Sequence, residues 1–403
     1  MRLGLLFLRS GTTNFRVAEA MNALAAKLGI LTLDTQVTLN GIAATATRAG
    51  ATVTLVRENT VVGLDAHRLA SLERLVTGVE EGETPGEVNT RLSQIESMPP
   101  LHAVPATAVA VGFACGGFAL LNGGSFLACC MVTMSASAGQ ALRTILLHRR
   151  LNQFVVTAVC GAFASTLYWL IAKAPRWTAS LELDDAAGFV SAVLFLTPGF
   201  PLVTALLDLI RLHFTSGMTR IAYGLMSLLA GFAGLGLVAG AAGLVPTAST
   251  TTVVAQSSVT MLHASASFLG GLGFAILYNS TWSMALIVGG LAVIGNLVRL
   301  GLHDAGLAPA PATFVGALVV GLLATRIRSR LRTPRIALTV PGTIIMIPGL
   351  AAYDTLTLLN RGEVVEALRM GGQAGFTLGA IAMGLAAARI LTDSAWALDG
   401  PRT

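Results

Sequence analysis

The stretch TVPGTIIMIPGL, residues 339–350, holds two Pro-Gly steps, Pro341-Gly342 and Pro348-Gly349, and no charged residue. A third step, Pro198-Gly199, lies within AVLFLTPGFPLVTALLDLI. Proline removes a backbone donor and glycine frees the backbone, so each step can interrupt a helix. In apolar surroundings an interruption leaves N–H and C=O groups that lipid cannot satisfy; they must face protein or a wet cavity. There they become ligand groups. A half-helix N-terminus suits a carboxylate and freed carbonyls suit an ammonium, so a small zwitterion would use both.

An aspartate follows each broken stretch, Asp208 in the first and Asp354 in the second. Ionisable groups inside apolar spans are costly and mark function by default, here as candidates for carrying a proton. Tyr353 could donate to a substrate carboxylate. The candidate substrate-binding set is therefore Pro198, Gly199, Asp208, Pro341, Gly342, Pro348, Gly349, Tyr353 and Asp354, with Asp354 and Asp208 as proton-coupling candidates. The bland alternatives are packed kinks for the Pro-Gly steps, a helix-end residue for Asp208 and core packing for Tyr353. His263, with no second ligand at metal spacing, reads as a packing histidine. Asn296 reads as an interhelical hydrogen bonder, and Arg16 with Glu19 as a solvated helix pair.

The elements that must hold these residues are apolar. The chain has 403 residues, 54% hydrophobic and 11% charged. Residues 1–100 carry 9 Lys+Arg against 10 Asp+Glu, whereas 101–403 carry 17 against 10. The positive excess belongs to the apolar part and reads as membrane topology, not as nucleic-acid binding. Cys115, Cys129, Cys130 and Cys160 have no metal spacing and read as small buried hydrophobes. The six-residue apolar run between Arg2 and Arg9 is too short for a signal-peptide core. No Walker-type loop, nucleophile elbow or cysteine cluster is present, so neither ATP drive, a metal nor another cofactor is expected and the chain does not read as an enzyme.

Residues 1–100 read as an α+β domain: a helix ending at Gly29, three strands rich in Thr, Val and Ile, and helices near 65–80 and 85–97, closed by Pro99 and Pro100. Beyond it come ten apolar spans near 104–121, 123–140, 153–173, 186–210, 218–244, 256–277, 281–300, 308–325, 336–359 and 370–391, each near the roughly 20 residues that cross a bilayer. Residues 221–298 contain no Asp, Glu, Lys or Arg. With residues 1–100 inside the cell, twelve arginines fall in inside segments and five Lys+Arg in outside ones. The cluster RIRSRLRTPR weighs most, and the count predicts both termini cytoplasmic.

The spans divide as five and five at GLVPTASTTTVVAQ, giving membrane halves 101–245 and 246–403. The fourth span of each half carries mid-span Pro-Gly. An odd number of spans per half inverts the second half relative to the first, as in the inverted repeats of secondary transporters. Which second-half Pro-Gly matches Pro198-Gly199 stays open. The expected fold is a multi-span α-helical membrane protein with a 5+5 inverted repeat, a broken fourth helix in each half, and a small cytoplasmic α+β domain.

At these residues the chain resembles the threonine/serine exporter family. RSGTTNFRVAEAMNALAAKLGI is similar to the family's opening helix, TPGFPLVTALLDLIRLHFTSGMTRIA to its first-half signature and VPGTIIMIPGLAAYDTL to its second. The N-terminus starts inside the first family helix. The resemblance implies export of threonine and serine by proton antiport, with protons and the inner-membrane bilayer as partners and a homo-oligomer compatible with all of it. Separate halves in some bacteria resemble a succinate exporter, so a dicarboxylate is the close alternative. A dianion would want a fixed cation near the break, and neither broken span contains one. A membrane-embedded enzyme or sensor is the alternative from another class.

Overall fold

The computed structural model describes residues 1–48, 50–59, 63–80, 82–173, 186–242, 256–331, 333–393 and 396. The boundary expected at 245–246 and three residues of the topology count, Arg176, Arg332 and Arg402, lie outside them.

The N-terminal domain builds as its patterning demands. Helices α1 (Arg2–Arg9) and α2 (Asn14–Lys27) precede an antiparallel meander of β1 (Thr32–Thr38), β2 (Gly41–Arg48) and β3 (Ala51–Glu58), then α3 (Ala66–Gly78) and α4 (Pro85–Glu96). Helix α1 was not anticipated from the sequence. Its core gathers Phe7, Val17, Ile42, Leu69 and Leu72, all at most 1% exposed. Gly29, with φ 72°, ends the α2 segment. Thr84 and Glu87 cap α4 reciprocally, and Pro85 supplies its first turn. Arg16 is not a merely solvated partner of Glu19. It also reaches Glu73 of α3 at 2.8 Å, which fastens α2 to α3.

The apolar part folds as α5 (Val104–Leu121), α6 (Phe126–His148), α7 (Gln153–Ala172), α8 (Ala186–Ser191), α9 (Gly199–Ile210) and α10 (Phe214–Ala242). It continues as α11 (Gln256–Leu277), α12 (Trp282–Asp304), α13 (Pro309–Leu331), α14 (Arg335–Thr343), α15 (Gly349–Asn360) and α16 (Val364–Thr392). Among the described residues seven helices are long and apolar enough to cross a membrane: α5, α7, α10, α11, α12, α13 and α16. The pair Arg335–Met346 and Gly349–Asn360, bent by 53°, makes an eighth. Helix α6 and the shorter apolar segment Leu194–Ile210 fall outside that set. Many apolar side chains on these helices face outward, among them Phe126, Leu237 and Phe376, each more than 70% exposed. Only a lipid solvent makes that inexpensive. Cys115 and Cys160 are buried as expected, whereas Cys130 lies on the exposed face of α6.

Small residues let these helices approach closely. A Cβ on Gly273 of α11 would stand 2.8 Å from Ala114 Cβ of α5, and one on Gly271 would stand 2.6 Å from Ala292 Cβ of α12. Asn296 makes the interhelical bond expected of it, donating to Ser267 Oγ at 2.8 Å, and its own Oδ1 accepts from Arg299 Nε at 2.8 Å.

The domain is bolted to particular helix ends. The Ala66 N–H donates to the Tyr278 carbonyl at 2.9 Å, and Asn279 Nδ2 donates to Asp65 Oδ1 at 2.9 Å. His102 Nε2 meets the Ser280 carbonyl at 2.7 Å. The ends of α9 and α11 and the starts of α10 and α12 therefore lie on the domain side.

Candidate functional site

Two interrupted helices meet at the centre. After α8 comes a 3-10 turn, Leu194–Leu196, then Thr197 at φ −65°, ψ 123° and Pro198 at φ −78°, ψ 53°, before α9 begins. After α14 comes a 3-10 turn, Ile344–Met346, then Ile347 at φ −69°, ψ 128° and Pro348 at φ −79°, ψ 63°, before α15 begins. Each glycine N–H turns back onto the carbonyl two residues earlier, Gly199 to Thr197 and Gly349 to Ile347, both at 2.8 Å. Pro341-Gly342 behaves otherwise. Pro341 sits inside α14, and a Cβ on Gly342 would stand 3.3 Å from Val320 Cγ1, so that step packs against neighbouring helices.

The two breaks cross reciprocally. A Cβ on Gly199 would stand 2.6 Å from Ile347 Cδ1, and one on Gly349 would stand 2.7 Å from Leu194 Cδ2 and 3.7 Å from Thr197 Oγ1. Each glycine thus packs on the other break's turn. A side chain at either position would hold the crossing apart.

A cavity of about 290 Å³ opens beside the first break. Residues 195–201 form one wall, with Arg143 of α6, Gln153 and Thr157 of α7, and Arg220, Tyr223 and Ser227 of α10. Leu8, Gly11, Leu39, Gly63 and Leu64 of the N-terminal domain also line it. Tyr223 Oη donates to Gln153 Oε1 at 3.2 Å. Arg143 makes no hydrogen bond or ion pair among the described residues. It is a cation on a half-buried stem facing the start of α9, where helix N–H groups add partial positive charge.

Asp208 is not free in that cavity. It is fully buried, and its Oδ2 lies 3.2 Å from Arg220 Nε. The Asn14 backbone N–H donates to Asp208 Oδ1 at 3.1 Å. Arg220 Nη2 donates to the Thr12 carbonyl and to Asn14 Oδ1, both at 2.7 Å, and Nη1 donates to Thr204 Oγ1 at 3.1 Å. Asn14 Nδ2 reaches Ser216 Oγ at 2.6 Å and the Val37 carbonyl at 3.1 Å. The start of α2 is thereby sewn into the turn between α9 and α10. Arg220, counted in the topology argument as a loop charge, lies inside α10 and is 4% exposed.

Asp354 is half-buried in α15 and has no hydrogen-bond or ion-pair partner among the described residues. Tyr353 is 1% exposed, and its hydroxyl crosses toward α10, where a Cβ on Gly231 would stand 2.6 Å from it. Sequence reasoning singled out Pro198, Gly199, Pro348, Gly349 and Tyr353, and the structure brings these to the crossing. It missed Arg143, Gln153, Thr157 and Tyr223, which come from other helices, and Thr197, which belongs to the first break itself. Arg220 had a legible signal: it lies twelve residues after Asp208 across a short turn between apolar helices, with the opposite charge. Among the described residues no group of three or more His, Cys, Asp or Glu could hold a metal ion.

The ThrE threonine/serine exporter profile matches residues 1–242, and the ThrE_2 profile, also a threonine/serine exporter, matches 263–391. The probable threonine/serine exporter of Mycobacterium tuberculosis is 29% identical over 369 residues, covering 88% of this chain and 68% of that protein. The threonine/serine exporter of Corynebacterium glutamicum is 26% identical over 359 residues, covering 87% and 73%. The probable succinate transporter subunit YjjP of Escherichia coli is 26% identical over 236 residues, covering 58% and 90%. No solved structure matches the chain. A chain matched along nearly its whole length by the two profiles, with membrane-compatible helices interrupted at its centre, belongs to the threonine/serine exporter family.

Proposed function

We propose that the protein is a secondary active transporter that exports small polar carboxylates, threonine and serine foremost, in exchange for protons. The observation that carries the reading is the cavity at the first break. It offers one unpaired guanidinium, a helix N-terminus, and the amide and hydroxyls of Gln153, Thr157, Tyr223 and Ser227. That inventory suits one carboxylate and one polar remainder. Neither broken span contains a cation, but one does lie near the first break, because Arg143 enters from α6. A dianion would want two cations. Arg220 also lines the cavity, but Asp208 already neutralises it, so the site favours an amino acid over succinate.

The ten-span reading is supported by adding α6 and the Leu194–Ile210 segment to the eight spans. A repeat of inverted topology is supported by matched elements. Helices α6 and α12 have 23 residues each, α9 and α15 have 12, and α10 and α16 have 29. Shifting α9 and α10 by 150 residues gives the bounds of α15 and α16. Shifting α6 by 156 gives those of α12. Five passes per half place the equivalent breaks head to tail, the arrangement that lets one half rock against the other. The arginine-rich domain side is read as cytoplasmic, in the inner membrane, with both termini there. Asp354, unpaired in the second broken span, is the proton-coupling residue in this reading. Asp208, held by Arg220 and Asn14, serves as an anchor.

Counterflow in proteoliposomes tests the function. Vesicles loaded with unlabelled threonine should accumulate labelled threonine from outside, and an imposed pH gradient should drive it without preloading. Accumulation of succinate with none of threonine would replace the substrate reading. Threonine counterflow indifferent to any pH gradient would remove the proton.

A further inference from the structure

Another cavity, of about 840 Å³, lies between the N-terminal domain and the ends of α13, α14 and α16. Five arginines line it, Arg16 and Arg74 from the domain and Arg328, Arg335 and Arg389 from the second membrane half. Three acids face them, Glu19, Glu73 and Asp393, which leaves a net of two positive charges on the wall. Three of the arginines are already committed. Arg16 donates to Glu73 at 2.8 Å and to Glu19 at 3.1 Å. Arg74 turns back onto its own helix, to the Ala70 carbonyl and Ser71 Oγ. Arg389 lies over the rings of Phe15 and Trp396, 5.0 and 4.6 Å from their centroids, with Asp393 Oδ2 3.8 Å from its Nε. The other two are not matched. Arg328 makes no hydrogen bond or ion pair among the described residues. Arg335 donates only from Nη2, to Thr392 Oγ1 at 3.2 Å, and its Nε and Nη1 have no acceptor.

The same wall holds the start of α14, where Pro334 is the N-cap and no side chain caps the first turn, so the helix adds partial positive charge. Trp396, 6% exposed, also lines the cavity, and its Nε1 has no acceptor. The unsatisfied atoms on this wall, Arg335 Nε and Nη1, Arg389 Nε and Trp396 Nε1, are all donors, so an occupant must accept. We infer that the cavity binds a phosphate-bearing anion, held by Arg328 and Arg335 at the start of α14. A phosphate accepts from a guanidinium in two-point fashion, suits an uncapped helix start, and brings enough negative charge for two cations. An amino acid, with one carboxylate and its own ammonium, would leave both guanidiniums under-compensated. The volume admits an organic body beyond the phosphate. Two sources share this chemistry: a soluble phosphate compound, and the headgroup of an anionic phospholipid where the helices meet the domain. The ligand would touch the domain and the second half together and stabilise their seam. No residue lines both this cavity and the one at the first break, so the inference stands whatever the substrate is.

Thermal unfolding of the intact chain in detergent tests this, with two ligands titrated separately at constant ionic strength. Pyrophosphate probes the soluble source, and phosphatidylglycerol in phosphatidylcholine–detergent micelles probes the headgroup. At least one should raise the unfolding midpoint in a saturable way, and which one does so assigns the source. Arg328→Gln with Arg335→Gln should raise the half-saturating concentration about a hundredfold or more, since two charge-assisted contacts are lost. Arg328→Gln alone, at an exposed position that cannot threaten the fold, should raise it about tenfold. Arg326→Gln changes the same helix but does not line the cavity, and should respond as wild type does. The inference is overturned if neither ligand stabilises the wild-type protein saturably. It is equally overturned if Arg328→Gln keeps the wild-type half-saturating concentration.

Discussion

Asp208→Asn isolates the junction between the N-terminal domain and the first membrane half. The change keeps the shape and still lets an oxygen accept from the Asn14 N–H, but removes the charge facing Arg220. That guanidinium keeps its bonds to Thr12, Asn14 and Thr204 and stays buried with no counter-ion. Removing one partner of a buried pair costs about 3–5 kcal/mol. Two of the three acceptors of Arg220 belong to the Thr12–Asn14 corner, so the loss should appear first as undocking of α2. Hydrogen exchange of the α2 amides, with thermal unfolding in detergent, reads this out. A 3 kcal/mol loss is about a hundredfold rise in the open population. Arg220→Gln should be similarly costly. Asp208→Asn with Arg220→Gln should recover most of the loss, because neither charge is then stranded. A loss below about 1 kcal/mol, the range of exposed pairs, would refute the reasoning. So would a double variant no better than the sum of the single ones.

Other outcomes follow from the same geometry. Arg143→Gln should weaken threonine counterflow at least tenfold through KM, about 1.4 kcal/mol or more for a lost charge-assisted bond; an unchanged KM would remove Arg143 from the site. Asp354→Asn should abolish efflux driven by a pH gradient while sparing threonine exchange. Normal driven efflux would make Asp354 structural. Gly199→Val should hold the crossing open and stop transport without preventing membrane insertion, because its side chain must displace Ile347 and Ile344 of the other break; wild-type counterflow would contradict the reciprocal packing. Cysteine labelling should find Arg330→Cys on the cytoplasmic face, and labelling from outside would reverse the topology.

Much of this was legible in one sequence because membrane helices and short soluble strands carry strong local signals. The apolar runs, the Thr- and Val-rich strands and the Pro-Gly steps sit where the residues announce them. Pro341-Gly342 shows the limit. It carries the same dipeptide as the true break, yet α14 runs through it to Thr343 before the 3-10 turn Ile344–Met346 begins, and the glycine packs against Leu291 and Val320. Pro348-Gly349 breaks because the preceding turn and Ile347 have already left the helix. Asp208 shows a second limit. A lone carboxylate in an apolar span reads as functional until its partner is found, and that partner came with a corner of a different domain. Cavity residues such as Arg143 and Tyr223 converge only by tertiary packing, and nothing in their local sequence predicts it.

The central claim is that threonine binds in the cavity beside the first break. With the four native cysteines replaced by serine, Ser227→Cys places a single thiol in that cavity. Its labelling by a small maleimide should slow in the presence of threonine in a saturable way, and Arg143→Gln should weaken that protection. Labelling that is unaffected by threonine, in a protein that still carries out threonine counterflow, would contradict the account and move the substrate elsewhere.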